Sequence, residues 1–98
     1  MSFLVLCVFD LRNAAREDYL HVYMELASLG LRKIVKSDNG PGFKLPSTAV
    51  LGTFEGQSVD EVRTLLGKKV QGILQSHGLS GDFFVVASAD WACAGESL

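Results

Sequence analysis

The pattern of apolar and polar positions along the chain predicts four strands. Residues 3–9 are all apolar, and a run this short, with β-branched and aromatic side chains, is typical of a central buried strand. Further runs that contain β-branched or aromatic residues, at residues 32–36, 47–54 and 82–89, predict three more strands. Charged residues flank the run at residues 32–36, which favours a place at the edge of a sheet. Gly52, inside the run at residues 47–54, predicts a bulge or the close approach of another backbone segment.

Two other stretches repeat apolar residues at the three- and four-residue spacing of a helix that is buried on one face. The first helix is predicted to start at Asn13 as its N-cap and to end at Gly30. The second is predicted to begin with Ser58 as N-cap, since Glu61 three positions later completes the pattern of a capping box. It is expected to end near His77.

The order of these elements, β-α-β-β-α-β, matches the split βαβ pattern of ferredoxin-like folds. We therefore predict an α+β fold with a four-stranded antiparallel sheet and two helices on one face. Residues 1–91 are expected to form one domain and residues 92–98 a C-terminal tail, because 98 residues suffice for one core and no more.

The first strand is apolar on both faces, although this topology covers only one face with helices. Leu4, Leu6 and Val8 would project from the uncovered face. An open apolar face predicts a partner, and a homodimer through the open sheet face is the simplest one.

Composition narrows the function classes. Hydrophobic residues make up 48% of the chain and charged residues 20%, which is typical of a globular protein and not of a disordered one. We expect a cytoplasmic protein without membrane contact, because no basic leader precedes the first strand and no apolar run is long enough to span a bilayer.

Cys7 and Cys93 have no metal-ligand or redox spacing and are expected to be free thiols. The net charge of −2 disfavours tight non-specific nucleic-acid binding.

The main candidate for chemistry is Asp10, which follows the first apolar run directly. A carboxylate at this position could bind a divalent cation together with its counterpart in a second subunit, or activate a water molecule. It could instead be an ordinary polar residue that ends the strand and helps to begin the next turn, without a chemical role. Asp90 ends the last strand, and antiparallel pairing would place it at the opposite end of the sheet.

The middle of the chain is locally basic. Lys36 and Lys44 either contact phosphate or protect an edge strand from pairing with other chains. The loop at residues 37–47, which contains Phe43 and several glycines, could close over a ligand, follow a nucleic-acid backbone, or be a hairpin loop without function. The third strand lacks the aromatic pattern of an RNA-recognition motif, so we do not expect bases to stack on the sheet.

Several short matches extend over nearly the whole chain: Val8-Phe9-Asp10, Tyr19, Leu29-Gly30-Leu31, Ile34-Val35, the turn at residues 38–40 with Leu45-Pro46, and Asp82, Val86 and Asp90. On these residues the chain resembles the GhoS-like antitoxin endoribonucleases of type V toxin-antitoxin systems. The resemblance implies a ferredoxin-like fold and an action on RNA.

A second resemblance rests on Phe9-Asp10 at the end of the first strand and on Ser47 at the start of the third. These residues are similar to those of the CRISPR adaptation nuclease family, whose members form dimers with first-strand aspartates that face each other and bind metal. The family has tyrosine where this chain has Phe9. It also has a basic run after the aspartate, whereas only Arg12 and Arg16 are near Asp10 here.

We therefore predict a dimeric ferredoxin-like protein of the antitoxin or CRISPR-adaptation type that acts on RNA, either by binding it or by hydrolysing it as a metal-dependent endoribonuclease. Asp10 is the predicted catalytic residue and Mg²⁺ ligand, and Arg12, Lys36 and Lys44 are the predicted phosphate contacts. The alternative is a non-catalytic module that binds a protein through the open sheet or a small apolar ligand between sheet and loop. The bulky apolar side chains predict that no cavity remains for such a ligand.

Overall fold

A computed structural model of the chain describes residues 1–36 and 42–95. These ranges contain strands β1 (Ser2–Leu11), β2 (Ile34–Lys36), β3 (Gly42–Lys44), β4 (Ala49–Glu55) and β5 (Gly81–Ser88), and helices α1 (Arg16–Leu29) and α2 (Val59–Ser76). Helix α1 lies between β1 and β2 along the chain, and α2 lies between β4 and β5. The predicted small α+β fold is confirmed.

The main sheet has three antiparallel strands in the order β4-β1-β5. The central position of β1 is therefore confirmed, as its continuous apolar run predicted. On one side Cys7 lies opposite Val50 of β4, and on the other side it lies opposite Val85 of β5.

The predicted edge strand at residues 32–36 does not join the main sheet as a paired strand. Within it, β2 pairs with β3 in a separate two-stranded antiparallel sheet, so part of the predicted loop is a strand. Among the described residues of this segment, Arg32 bridges to the main sheet through two main-chain hydrogen bonds with Leu51, of 2.9 and 2.8 Å. The physical reason is local, since a short segment folds back on its own chain more readily than it extends the sheet. Residues 37–41 of the predicted loop lie outside the described residues.

The core lies between one face of the main sheet and both helices. Every second residue of β1 is buried there, and the buried positions of the helices recur one turn apart. The buried side chains are Phe3, Val5, Cys7, Phe9 and Leu11 of β1, Val22 and Leu26 of α1, and Val62, Leu66, Val70 and Leu74 of α2, with Leu31 and Val50 beside them. Among the described residues, neither helix is long and apolar enough to cross a membrane.

The helix starts follow the expected chemistry with one correction. The N-cap of α2 is Ser58 as predicted, since its hydroxyl accepts a hydrogen bond of 3.2 Å from the Glu61 N–H. The N-cap of α1 is Ala15 and not Asn13. Here the Asp18 carboxylate accepts the Ala15 N–H at 2.9 Å, a local bond that sets the start of the helix two residues later.

Two glycines join the end of α1 to the main sheet. Gly30 ends the helix as predicted, with a left-handed φ of 114°. Gly52 of β4 passes so near that a Cβ at this position would lie 2.1 Å from the Gly30 carbonyl oxygen. The close approach of another backbone that Gly52 predicted is confirmed.

Candidate functional site

The face of the main sheet that points away from the helices is apolar and exposed. Val8 lies opposite Phe84, and Leu6 lies opposite Val86, on neighbouring strands. The exposed fractions are 39% for Val8, 65% for Phe84 and 41% for Val86. In the single chain, β1 is thus buried on one face only. We call this surface the open face.

Two carboxylates lie together at one end of the open face. Asp10 of β1 is directly opposite Asp82 of β5, and both side chains are exposed. Because side chains alternate along a strand, both project on the same face as Val8 and Phe84. The Arg12 guanidinium bonds to the Asp82 carboxylate at 2.8 Å. Within the described part of the chain, Asp10 forms no ion pair.

A groove of about 330 Å³ lies beside the two carboxylates and is open to solvent. It extends from β5 across β1 to the residues that precede β4. Its walls are formed by Val8, Phe9, Asp10, Ser47, Thr48, Asp82, Phe83 and Phe84. The groove is thus lined by carboxylate residues and by exposed apolar residues.

The segment that leads into β4 is held in an uncommon conformation. Ser47 has a φ of 54°, in the left-handed region that few residues other than glycine adopt. Its carbonyl oxygen accepts hydrogen bonds from the Lys33 ammonium and, at 3.4 Å, from the Tyr23 hydroxyl. The next residue, Thr48, donates its hydroxyl to the Phe9 carbonyl. Contacts of this kind keep a strained residue in place, and such residues are common at functional sites.

Lys33 and Tyr23 form a small cluster behind Ser47. The Lys33 ammonium lies 5.1 Å from the centre of the Tyr23 ring, within the range of a cation–π contact. Burial lowers the pKa of Lys33, and the positive charge of Lys44 lowers it further. Burial also raises the pKa of Tyr23, with a smaller contribution from Tyr19. Lys33 is therefore committed to contacts within the protein, whereas Lys44 is exposed to solvent.

No protein-family model matches the sequence, and no curated protein is similar enough to count as a relative. The two family resemblances, with the activity and cofactor that they imply, therefore remain predictions.

The predicted site residues do not all lie together. Asp10 and Arg12 are at the same end of β1, and Arg12 is bonded to Asp82. Lys44 belongs to β3 in the separate two-stranded sheet. Lys36 ends β2, and its side chain lies outside the described part of the chain. A nucleic acid that contacted Arg12 and Lys44 together would have to extend from one sheet to the other.

Asp82 is a candidate site residue that the sequence alone does not single out. The signal was available, because antiparallel pairing of the first and last strands must bring the start of β5 beside the end of β1. Asp90 follows the far end of β5, away from Asp10, as expected. Gly81 permits the close pairing, since a Cβ there would lie 2.2 Å from the Asp10 carbonyl oxygen.

The donor atoms at this end of the sheet fit a hard cation. Asp10 and Asp82 offer carboxylate oxygens, and Ser47 and Thr48 line the same groove. Mg²⁺ is usually bound by one or two carboxylates and keeps several waters. The described residues hold no group of three His, Cys, Asp or Glu side chains that could bind a metal.

Proposed function

We propose that this chain is a homodimeric RNA-binding protein that hydrolyses RNA with the help of a divalent cation. The observation that carries the proposal is the pair of exposed carboxylates, Asp10 and Asp82, which lie directly opposite each other at the end of the open face. Like charges placed in this way cost stability, so a cation that bridges them would be favoured. The proposal also rests on the resemblance of Phe9-Asp10 and Ser47 to the CRISPR adaptation nucleases.

The proposed fold is ferredoxin-like. In that topology the four predicted strands would have the order fourth-first-third-second, and β5-β1-β4 supplies the first three in this order. The bridge between Arg32 and Leu51 supports a place for the second strand on the free edge of β4.

The proposed dimer forms through the open face. Val8, Phe84 and Val86 make its centre apolar, and an exposed apolar patch in a folded domain is typical of an interaction surface. A second copy of the chain would offer the same apolar surface, as a two-fold interface requires. Because Asp10 lies on this same face, a dimer would also bring the two copies of the carboxylate pair nearer to each other.

The proposed reaction is hydrolysis of a phosphodiester. A water molecule adds to phosphorus and loses a proton to Asp10, the bond from phosphorus to one ribose oxygen breaks, and that oxygen takes up a proton from solvent. Asp10 and Asp82 would hold the cation, which supplies Lewis-acid polarisation of the phosphate when it is bound. Ser47 and Thr48 border the position at which the phosphate would lie.

The proposed phosphate contacts are Arg12, Lys36 and Lys44. Arg12 is exposed, and a surface ion pair such as the one it forms with Asp82 contributes about 0–1 kcal/mol at most, so phosphate can compete for it. If the cation replaces Arg12 at Asp82, the guanidinium becomes available to the RNA backbone.

The experiment that tests the proposal is incubation of the purified protein with a mixed pool of labelled RNA, with and without Mg²⁺. We expect cleavage that depends on Mg²⁺ and is lost in the Asp10→Asn variant. The matched control is Asp60→Asn, which removes an exposed carboxylate from α2 and should cleave like the wild type. Metal-independent cleavage, or full activity in Asp10→Asn, would contradict the proposal.

The alternative is a non-catalytic module that binds another protein through the open face. The exposure of Phe84 favours it, since aromatic side chains are common at the centres of interfaces. A wild-type protein that stays monomeric, so that the open face is free for a partner, and that neither binds nor cleaves RNA would support this alternative.

A further inference from the structure

The end of β1 extends past the strand that should pair with it. β4 begins at Ala49, opposite Val8, and the last main-chain bond on this side runs from the Phe9 N–H to the Thr48 carbonyl at 3.1 Å. Main-chain groups point alternately to the two neighbouring strands, so the N–H and C=O of Leu11 point to the same side as those of Phe9. Within the described residues, β4 offers them no main-chain partner.

The hydroxyl of Tyr19 takes the place of the missing strand. It accepts a hydrogen bond from the Leu11 N–H at 3.2 Å and donates one to the Leu11 carbonyl at 3.3 Å. The ring of Tyr19 is stacked with the Phe9 ring, with centroids 6.3 Å apart and planes inclined by 25°. A single side chain of α1 thus contacts both residues that flank Asp10.

Two further side chains fix the same region. The Thr48 hydroxyl donates a hydrogen bond to the Phe9 carbonyl. The Tyr23 ring packs edge-on against the Phe9 ring, with ring centroids 5.5 Å apart. Strand ends usually fray, because their main-chain groups lack partners. Here side chains bond to both main-chain groups of Leu11 and to the carbonyl of Phe9. They do so at the part of β1 that lies beyond the first residue of β4.

From these contacts we infer that Tyr19 is a positioning residue for Asp10. On the β5 side, pairing continues to Leu11 and to the bond from the Arg12 N–H to the Ser80 carbonyl at 2.9 Å. The Tyr19 hydroxyl holds the opposite edge of this strand end, so that Asp10 is fixed opposite Asp82 from both edges. The expected effect of Tyr19 on RNA cleavage rests on the proposed function. Its expected effect on the end of β1 rests on the hydrogen bonds to Leu11. Groups that act on a substrate need this kind of support, because a shift of about 1 Å can cost a large part of the rate.

The variant Tyr19→Phe tests the inference, since it removes only the hydroxyl. We expect hydrogen exchange at the Leu11 amide to become about tenfold faster, a factor of the order that one hydrogen bond contributes. We expect kcat for Mg²⁺-dependent RNA cleavage to fall by a factor of about ten or more while KM for RNA stays unchanged, because positioning affects the reacting group and not the phosphate contacts. Tyr23→Phe is the matched control for exchange, because its hydroxyl bonds to Ser47 and not to Leu11.

Two results would overturn the inference. Unchanged exchange at Leu11 in Tyr19→Phe would mean that the hydroxyl does not close the strand end. Faster exchange at Leu11 with wild-type kcat would mean that it closes the strand end without positioning Asp10. If the wild type does not cleave RNA, the proposed function fails, and the backbone order parameter of Asp10 then decides. We expect this order parameter to fall in Tyr19→Phe and not in Tyr23→Phe.

Discussion

Asp10 and Asp82 occupy directly opposed positions on β1 and β5, and both carboxylates project on the open face. Directly opposed like charges destabilise a sheet, and Arg12 offsets this for Asp82 alone. An arrangement that costs stability without contributing to the core is typical of a site for chemistry or binding.

Removal of one of the two charges should therefore stabilise the fold. For Asp10→Asn we expect the free energy of unfolding to rise by about 0.2–1 kcal/mol, because the repulsion across the strands is lost. Urea denaturation without divalent cations measures this. Asp60→Asn should leave the stability unchanged or lower it slightly, since it removes the exposed pair with Arg63. A loss of stability in Asp10→Asn would show that its carboxylate supports the fold.

The open face should mediate self-association. We expect the wild type to sediment as a dimer at micromolar concentration and Phe84→Asp to sediment as a monomer, because burial of an unpaired carboxylate in an apolar interface is costly. Sedimentation equilibrium measures this difference. The control is Leu65→Asp on α2, where the leucine is 48% exposed on the helical side. That variant should remain a dimer, and a monomeric wild type would exclude the interface.

Lys44 should contribute to RNA affinity through its charge. We expect Lys44→Gln to weaken RNA binding and to reduce the slope of log Kd against log salt by about 0.7, the value for one phosphate contact on a single strand. Titrations at several salt concentrations measure the slope. Lys69→Gln, an exposed lysine of α2, should keep the wild-type slope. Equal slopes for all three proteins would mean that Lys44 serves only to protect the strand edge.

The buried thiol of Cys7 should make stability depend on alkaline pH. Burial raises the pKa of Cys7 from 9.0 to about 11. The folded state then keeps a proton that the unfolded state loses, so stability should fall as the pH rises from 9 to 11, by at most about 2–3 kcal/mol. The measurement is the pH dependence of unfolding in wild type and Cys7→Ala. A wild-type slope no steeper than that of Cys7→Ala would contradict the expected shift. In the native protein, only the exposed Cys93 should react quickly with a thiol reagent.

The sequence predicted the elements better than their pairing. Three local signals each predict the element that forms: the apolar run of β1, the helix spacing and the cap at Ser58. Gly30 and Gly52 also predict the local backbone geometry, because glycine permits a left-handed φ and the close approach of another backbone segment. The place of residues 32–36 depended on a competition between β4 and the nearer β3, which no local pattern decides.

The candidate site was predicted in part for the same reason. Asp10 stands out because a charge follows an apolar run. Asp82 does not stand out in the sequence, because it precedes its apolar run. It becomes a candidate only when the register of β1 and β5 places it opposite Asp10. The role of Tyr19 depended on where β4 begins, at Ala49, and this is set by the strained turn at Ser47.

The most direct test of the proposed cation site is titration of the protein with Mn²⁺, a paramagnetic substitute for Mg²⁺, followed by the electron paramagnetic resonance signal of the free ion. We expect the wild-type protein and Asp60→Asn to reduce this signal and added Mg²⁺ to restore it. Asp10→Asn should leave the signal at the level of buffer alone. Equal binding of Mn²⁺ by the wild type and Asp10→Asn would contradict the assignment of the cation site to Asp10 and Asp82.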